Sequence, residues 1–374
     1  MNRNKFQNAI KYFIKRITKA LFKVEIISDE HYQSLVIKSN HYNSFVEKND
    51  NILVNPAIVP IIISWEKYLK NNSYKQLLKD AEDLTLDTDP ISKEIISQYI
   101  DRIWGLPKET LRNHSFVDFN NYQMENVISW EKEFFEKLET EYVQIRERIV
   151  KHYNLLEDTV FPNDLVINGG IDIFTPKVLE SIKDGGTVMD CGAFRGETAA
   201  VYHEVLKPSR IIAFEPIPEN FKILKENIDR GILVNFVTPI NRGVYSFDGL
   251  LYFSNDQDSS RAYENNVSGS NAKLLKLNVR SIDSVVKEYG IDDIRLIKLD
   301  VEDSEIEALK GAKNTIEDFR PILFISIYHS AYEFFAARKL IENWNMNYKF
   351  ILRDFDPTNI LTELVLIAIP EELL

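Results

Sequence analysis

The chain has one cysteine, Cys191, among its 374 residues. An internal disulfide framework and a cysteine-rich zinc site are therefore excluded, and a reducing compartment is the natural setting. No apolar run approaches the ~20 residues of a membrane span. Near the N-terminus there is neither the uninterrupted apolar stretch nor the small-residue cleavage site of a signal peptide, so a cytoplasmic location is expected. Positive charge is scarce as well: 45 Lys and Arg against 57 Asp and Glu leave a net charge of −12. Phosphate contacts need a basic face, which argues against nucleic acid as the main partner. Glycine is sparse, 13 in all, and six of those fall between positions 169 and 196, where backbone freedom is concentrated. What remains is ordinary globular material. With 44% hydrophobic and 27% charged residues the chain can bury a sizeable core, and its length exceeds one average domain.

Residues 1–23 run against the overall charge, with seven Lys or Arg and no acid. Phe6, Ile10, Phe13, Ile17 and Leu21 share one helical stripe, opposite Lys11, Lys15 and Lys19. Such a helix either packs on its own protein or lies on an anionic membrane surface, so peripheral membrane contact through residues 4–23 stays open. Segments 63–84, 92–107 and 130–153 read as helices, the middle one stopping at Gly105 and Pro107. His31, His41, His114 and His152 are scattered without ligand spacing and read as structural. Residues 1–155 thus form a mostly helical accessory region for substrate, partner or membrane contact.

The pattern changes over 156–374. Short β-branched runs at 187–190, 210–215, 233–240, 294–300 and 321–328 alternate with helical stretches at 198–205, 218–230 and 304–319. That βαβ alternation predicts an α/β fold with a parallel sheet covered on both faces. After a helix over 331–344, the runs 348–355 and 362–369 follow with only a short loop between them, which predicts a terminal antiparallel hairpin. The expectation is a Rossmann-like class I methyltransferase fold behind a helical N-terminal region.

The sharpest local signal is MDCGAFRGET, residues 189–198. A strand ends at Asp190, and Gly192 and Gly196 turn the chain into a helix, letting backbone approach a ligand. The G-x-x-x-G spacing differs from the G-x-G-x-x-G that seats a pyrophosphate, which favours S-adenosylmethionine over NAD. Asp190, Gly192, Ala193, Phe194, Gly196 and Thr198 are the candidate contacts for its amino-acid end. Glu215, before Pro216 at the tip of the next strand, is placed to accept both ribose hydroxyls, and Asn241 is placed near the adenine. Asp300 closes the fourth strand beside the same edge, and Ser304 with Glu307 matches a capping box that starts the next helix. In that first turn Asp303 and Glu305 are expected to stabilise the helix dipole. His329, just past the fifth strand, is either a proton acceptor or a core histidine. No metal site is strong enough to name.

Taken in order, DCGAFRGET, AFEPIPENFKIL, the INRGV turn, RSIDSVV leading to LIKLDVEDSEIEALKGA, and ISIYHS with the final hairpin resemble the FkbM family of methyltransferases over about residues 160–374. The resemblance implies S-adenosylmethionine as methyl donor and O-methylation of a hydroxyl on a saccharide or natural product. It places Asp190, Gly192 and Gly196 on the methionine part, Glu215 on the ribose and Asp300 near the transferred methyl. For the hydroxyl proton, the residues themselves offer Asp300 or His329 as the general base. Two departures stand out: Asp303 where many members have glycine, and Phe194 where asparagine is frequent. Two other readings share the glycine turn and the acidic second strand: an NAD-dependent or nucleotide-sugar oxidoreductase, and a non-catalytic binding protein that retains the fold.

Overall fold

The computed structural model describes residues 59–105, 129–156, 167–254, 261–263, 274–355 and 361–374. The basic stripe at 4–23 and His31, His41 and His114 lie outside these residues, while His152 is exposed on its helix. No helix among the described residues is long and apolar enough to cross a membrane.

The predicted helices form, in shorter pieces than the periodicity suggests. Residues 63–84 divide into α1 (Val59–Asn71) and α2 (Tyr74–Leu84), because the Ser73 hydroxyl accepts the Gln76 N–H at 3.2 Å and starts a new helix. α3 follows over Pro90–Gly105. Residues 130–153 likewise divide into α4 (Ser129–Thr140) and α5 (Tyr142–Tyr153). After α6 (Pro176–Ile182) come β1 (Thr187–Cys191), α7 (Glu197–Leu206), β2 (Arg210–Phe214), α8 (Pro218–Asp229) and β3 (Val237–Ile240). The run 233–240 is only half strand, since Ile232–Asn235 close into a 3₁₀ turn first.

Next comes a part the periodicity did not announce. β4 (Gly243–Val244), β5 (Gly249–Ser254), β6 (Arg261–Tyr263) and β7 (Leu274–Arg280) build a separate sheet in the order β4-β7-β5-β6. Its small core is Tyr245, Leu251 and Val279. It is anchored by Asp248, whose Oδ1 accepts from the Ser281 N–H at 2.8 Å and the Ser284 hydroxyl at 2.7 Å.

The chain then returns through α9 (Ile282–Tyr289), β8 (Ile294–Leu299), α10 (Glu305–Lys310), α11 (Lys313–Phe319), β9 (Ile322–Ser326), α12 (Ala331–Glu342), β10 (Tyr348–Asp354) and β11 (Leu364–Pro370). The main sheet has the order β10-β11-β9-β8-β1-β2-β3. β3, β2, β1, β8 and β9 pair in parallel, and β11 pairs antiparallel with both β9 and β10. This is the class I methyltransferase arrangement, with the terminal hairpin where the sequence placed it. Helix 304–319 is broken at Gly311 and Ala312. The expected capping box does not form: Ser304 makes no side-chain cap bond, and Glu307 instead accepts from Ser246 at 2.7 Å and Lys310 at 2.6 Å.

Both sheet faces are buried, with the strand period of two. Along β9, Ile322 and Phe324 enter one apolar cluster while Leu323 and Ile325 enter the other. The helices read as accessory join these same clusters. Trp65, Leu77, Ile96 and Ile103 of α1–α3 pack into the cluster holding Leu323 and Ile325, while Tyr142, Ile149 and Tyr153 of α5 join the opposite one. Trp65 is fully buried, with its ring edge-on to Phe334 at 5.1 Å and Phe335 at 6.0 Å. Removing a buried indole leaves a large cavity, so Trp65→Ala should lose about 3–5 kcal/mol of unfolding free energy in urea titrations. A loss under ~1 kcal/mol would mean that α1 adds nothing to the common core.

Candidate active site at the strand tips

Main-chain hydrogen bonds knit the carboxyl ends of the central strands together. Gly192 and Ala193 N–H both donate to the Phe214 carbonyl, at 3.0 and 2.8 Å. The Asp300 N–H donates to Cys191 O at 3.0 Å, and the Glu215 N–H to Ile240 O at 3.1 Å. Asp190, Glu215 and Asp300, from three different strands, are thereby brought to one edge, where doubly wound sheets bind ligands. In the β1–β2 register Asp190 faces Ala213, two positions before Glu215.

The glycine turn works differently from the expectation. The N–H groups of Gly192 and Ala193 are taken by Phe214, and that of Gly196 by Ala193 O at 2.8 Å. At Gly192, with φ +84°, an added Cβ would lie 1.8 Å from the Asp300 carbonyl oxygen. The residue lets two loops touch, which a side chain would prevent. The two departures from the family pattern fall on the same kind of backbone. Phe194 has φ +44° and Asp303 φ +66°, the left-handed region that asparagine and glycine adopt more readily. The Arg195 guanidinium lies over the Phe194 ring, 4.7 Å from its centre.

Asp190 is fully buried, and neither carboxylate oxygen has a hydrogen bond. Its nearest countercharge is Lys298 Nζ, 3.5 Å from Oδ1. Burial pushes the carboxyl above the usual carboxylate range, and Lys298 offsets this only in part. Lys298 also donates to Gly192 O at 3.0 Å and lies 3.7 Å from Asp300 Oδ2, tying the three positions together. Lys298 carries one sequence signal, an ionisable residue inside the apolar strand IRLIKL.

Glu215 is held in a preset pose. Its Oε1 accepts the Ile217 N–H at 2.8 Å, and the Phe194 N–H and the Asn220 side chain also bond the carboxylate. Burial pushes it up to about 7 in spite of these donors. Asn241 turns its amide onto the Glu215 and Pro216 carbonyls at 2.8 and 3.2 Å and so braces the Glu215 loop. Thr198 is buried in α7.

Around Asp300 a second group gathers. Tyr328 donates its hydroxyl to Asp300 Oδ1 at 3.2 Å. His329 Nε2 lies 3.5 Å from the same oxygen and 3.8 Å from Glu302 Oε2. On the other side of the ring, Nδ1 lies 3.2 Å from Glu305 Oε1 and 3.4 Å from Glu333 Oε2. Burial alone would lower the imidazole pKa, but the Glu305, Glu333 and Glu302 carboxylates outweigh it and hold it well above the ordinary histidine value. The shift favours the protonated ring, which lies between carboxylates on both sides. Glu305, expected to serve the helix dipole, is fully buried and turned inward, with Oε1 accepting the Val301 N–H at 2.6 Å. Glu333, four residues after His329, was not singled out at all. Asp300, Glu305 and His329 can each offer one ligand atom within 4.8 Å of the others, so this group can hold a metal ion.

Residues 190–353 match the model of the methyltransferase FkbM domain. The hexuronic acid methyltransferase AglP of Haloferax volcanii is 28% identical over 37% of this chain and 55% of its own length. The methyltransferase sdnD of Sordaria araneosa is 26% identical over 33% of this chain and 59% of its own length. The match thus spans somewhat more than half the length of these curated relatives. A solved structure, the methyltransferase FkbM from Methylobacillus flagellatus, aligns at 18% identity and a TM-score of 0.41 over 74% of this chain and 70% of that one. The match runs from Asp190 at the tip of β1 to Arg353 in the terminal hairpin, and over this stretch the chain is similar to the methyltransferase FkbM domain.

Proposed function

We propose that the chain is an S-adenosylmethionine-dependent O-methyltransferase acting on a hydroxyl of a saccharide or natural-product acceptor. The observation that carries this reading is a pair of buried carboxylates, Asp190 and Glu215, at the tips of neighbouring parallel strands, one of them without any hydrogen bond. A fully buried carboxylate whose nearest partner is Lys298 at 3.5 Å, outside hydrogen-bond geometry, is costly unless a ligand completes it, and the ammonium of the donor would do so at Asp190. Glu215, fixed by three donors, keeps acceptor capacity for ribose hydroxyls. The chain's residues therefore fit the donor.

When bound, S-adenosylmethionine supplies a methyl group already activated by its sulfonium charge. The protein's share is positioning and proton transfer. Asp190 and Glu215 anchor the two ends of the donor, and Gly192 keeps Asp300 close to the donor loop. Asp300 takes the proton from the acceptor hydroxyl as the new bond forms. The saccharide class rests on AglP, whose name gives hexuronic acid as its acceptor.

Asp190→Ala should weaken S-adenosylmethionine binding at least tenfold, about 1.4 kcal/mol, by calorimetry. Unchanged affinity, or tighter binding of NAD than of S-adenosylmethionine by the native chain, would overturn the reading. Donor binding without S-adenosylhomocysteine release against any hydroxylated acceptor would favour a non-catalytic binding protein.

A further inference from the structure

We propose that Asp300, Glu305 and His329 form a binding site for a divalent cation at the acceptor side of the strand edge. The three side chains can present two carboxylate oxygens and one imidazole nitrogen within 4.8 Å of one another. Clustering alone would not make a site, but these polar atoms lack what buried polar atoms normally have. Neither ring nitrogen of His329, nor Oε2 of Glu305, nor either oxygen of Glu333 has a partner in hydrogen-bond geometry, the contacts of Nδ1 at 3.2 and 3.4 Å being ion pairs, and none of these three residues is more than 6% exposed. Buried side-chain polar groups are usually satisfied, and exceptions on this scale point to a missing ligand. A single ion on one ring nitrogen and a Glu305 oxygen would satisfy two of these residues at once, displacing to solvent the proton that the surrounding carboxylates otherwise hold on the ring.

The surroundings are those of a ligand-open metal site. Glu305 and His329 are buried, while the Asp300 side chain is 24% exposed and leaves one side accessible. Catalytic sites keep such an open position and structural sites close it. Whichever ring nitrogen binds, a carboxylate outside the three stands opposite the other: Glu333 Oε2 is 3.4 Å from Nδ1 and Glu302 Oε2 is 3.8 Å from Nε2. A carboxylate behind a ligating imidazole fixes its orientation and raises its basicity. One nitrogen with two carboxylate oxygens suits Mn²⁺ or Zn²⁺. At this position the cation would receive the acceptor hydroxyl and stabilise the alkoxide as its proton leaves for solvent or for Asp300. That role rests on the methyl-transfer reading, whereas the binding site itself does not.

The test uses the full chain after dialysis against a chelator, titrated with Mn²⁺ and followed by the electron paramagnetic resonance signal of the free ion. Binding of one Mn²⁺ per chain is expected, weakened at least tenfold in both Asp300→Asn and Glu305→Gln. Asp300→Asn alters a partly exposed side chain, and its unfolding curve should match the native one, so that loss of the ion in this variant reports ligation. Absence of Mn²⁺ binding, confirmed with Zn²⁺ by calorimetry, would overturn the site and show that the cluster holds protons only. Native affinity in both variants would place the ion elsewhere and overturn the assignment equally. S-adenosylmethionine titrated in parallel separates the two ideas. Donor binding without Mn²⁺ binding ends the cation proposal alone, and Mn²⁺ binding without donor binding ends the methyl-transfer reading alone.

Discussion

Gly192→Ala should destabilise the fold by about 4 kcal/mol, among the largest effects of any single substitution in this chain. Two costs combine. An L-residue at φ +84° sits in backbone territory that alanine rarely adopts, and its Cβ would come 1.8 Å from the Asp300 carbonyl oxygen. That oxygen cannot yield as the end of a flexible side chain would, because the Asp300 N–H is bonded to Cys191 O. Whatever yields is backbone at the strand edge. Urea unfolding gives the loss directly, and any folded remainder should bind S-adenosylmethionine far more weakly, because Asp190 and Asp300 move apart. A stability change below ~1 kcal/mol would show that the two loops do not touch.

The affinity for S-adenosylmethionine should rise roughly 30-fold between pH 5.5 and pH 8, on the basis that only the ionised carboxylate accepts the ribose hydroxyls and that its free-state pKa is near 7. Burial has pushed Glu215 up to about 7, so the group changes charge within the range that calorimetry can scan. Glu215→Gln should both weaken binding and flatten the profile. A native profile without slope across this range would remove Glu215 from the donor site. Folding responds in the opposite sense. A carboxyl with a raised pKa holds its proton more tightly in the folded chain, so its stabilising contribution is complete below the ordinary value of 4.5. That contribution is lost as pH rises through about 7. In the ligand-free chain near neutrality Glu215 therefore favours unfolding, and donor binding reverses part of that loss.

Much of the main sheet was legible because each strand carries its own local signal. The runs before Asp190, Glu215 and Asp300 are short, apolar and β-branched, and the helices between them have clear periodicity. The donor end was legible for a similar reason, since its residues lie within two short segments. The acceptor end was not. Glu305 reads from sequence as an ordinary first-turn acid, and only the packing of α10 against α12 turns it onto His329 and Glu333. The sense of the His329 pKa follows from those same neighbours, which come from separate segments of the chain. The small sheet is hard to read because β4 has only two residues and β6 only three, too short for a period to show. The N-terminal helices were recognised as helices, yet nothing in their own periodicity says that the surface they cover is the sheet itself.

That last feature has a practical edge. The boundaries of the recognisable domain are not the boundaries of what must fold together. A truncated chain restricted to 190–353 would lose Trp65, Ile96 and Ile103 from one side of the sheet, Tyr142 and Tyr153 from the other, and β11 from between β9 and β10. Water would then meet bare apolar strands and unpaired strand edges, and self-association would follow before any chemistry could be measured.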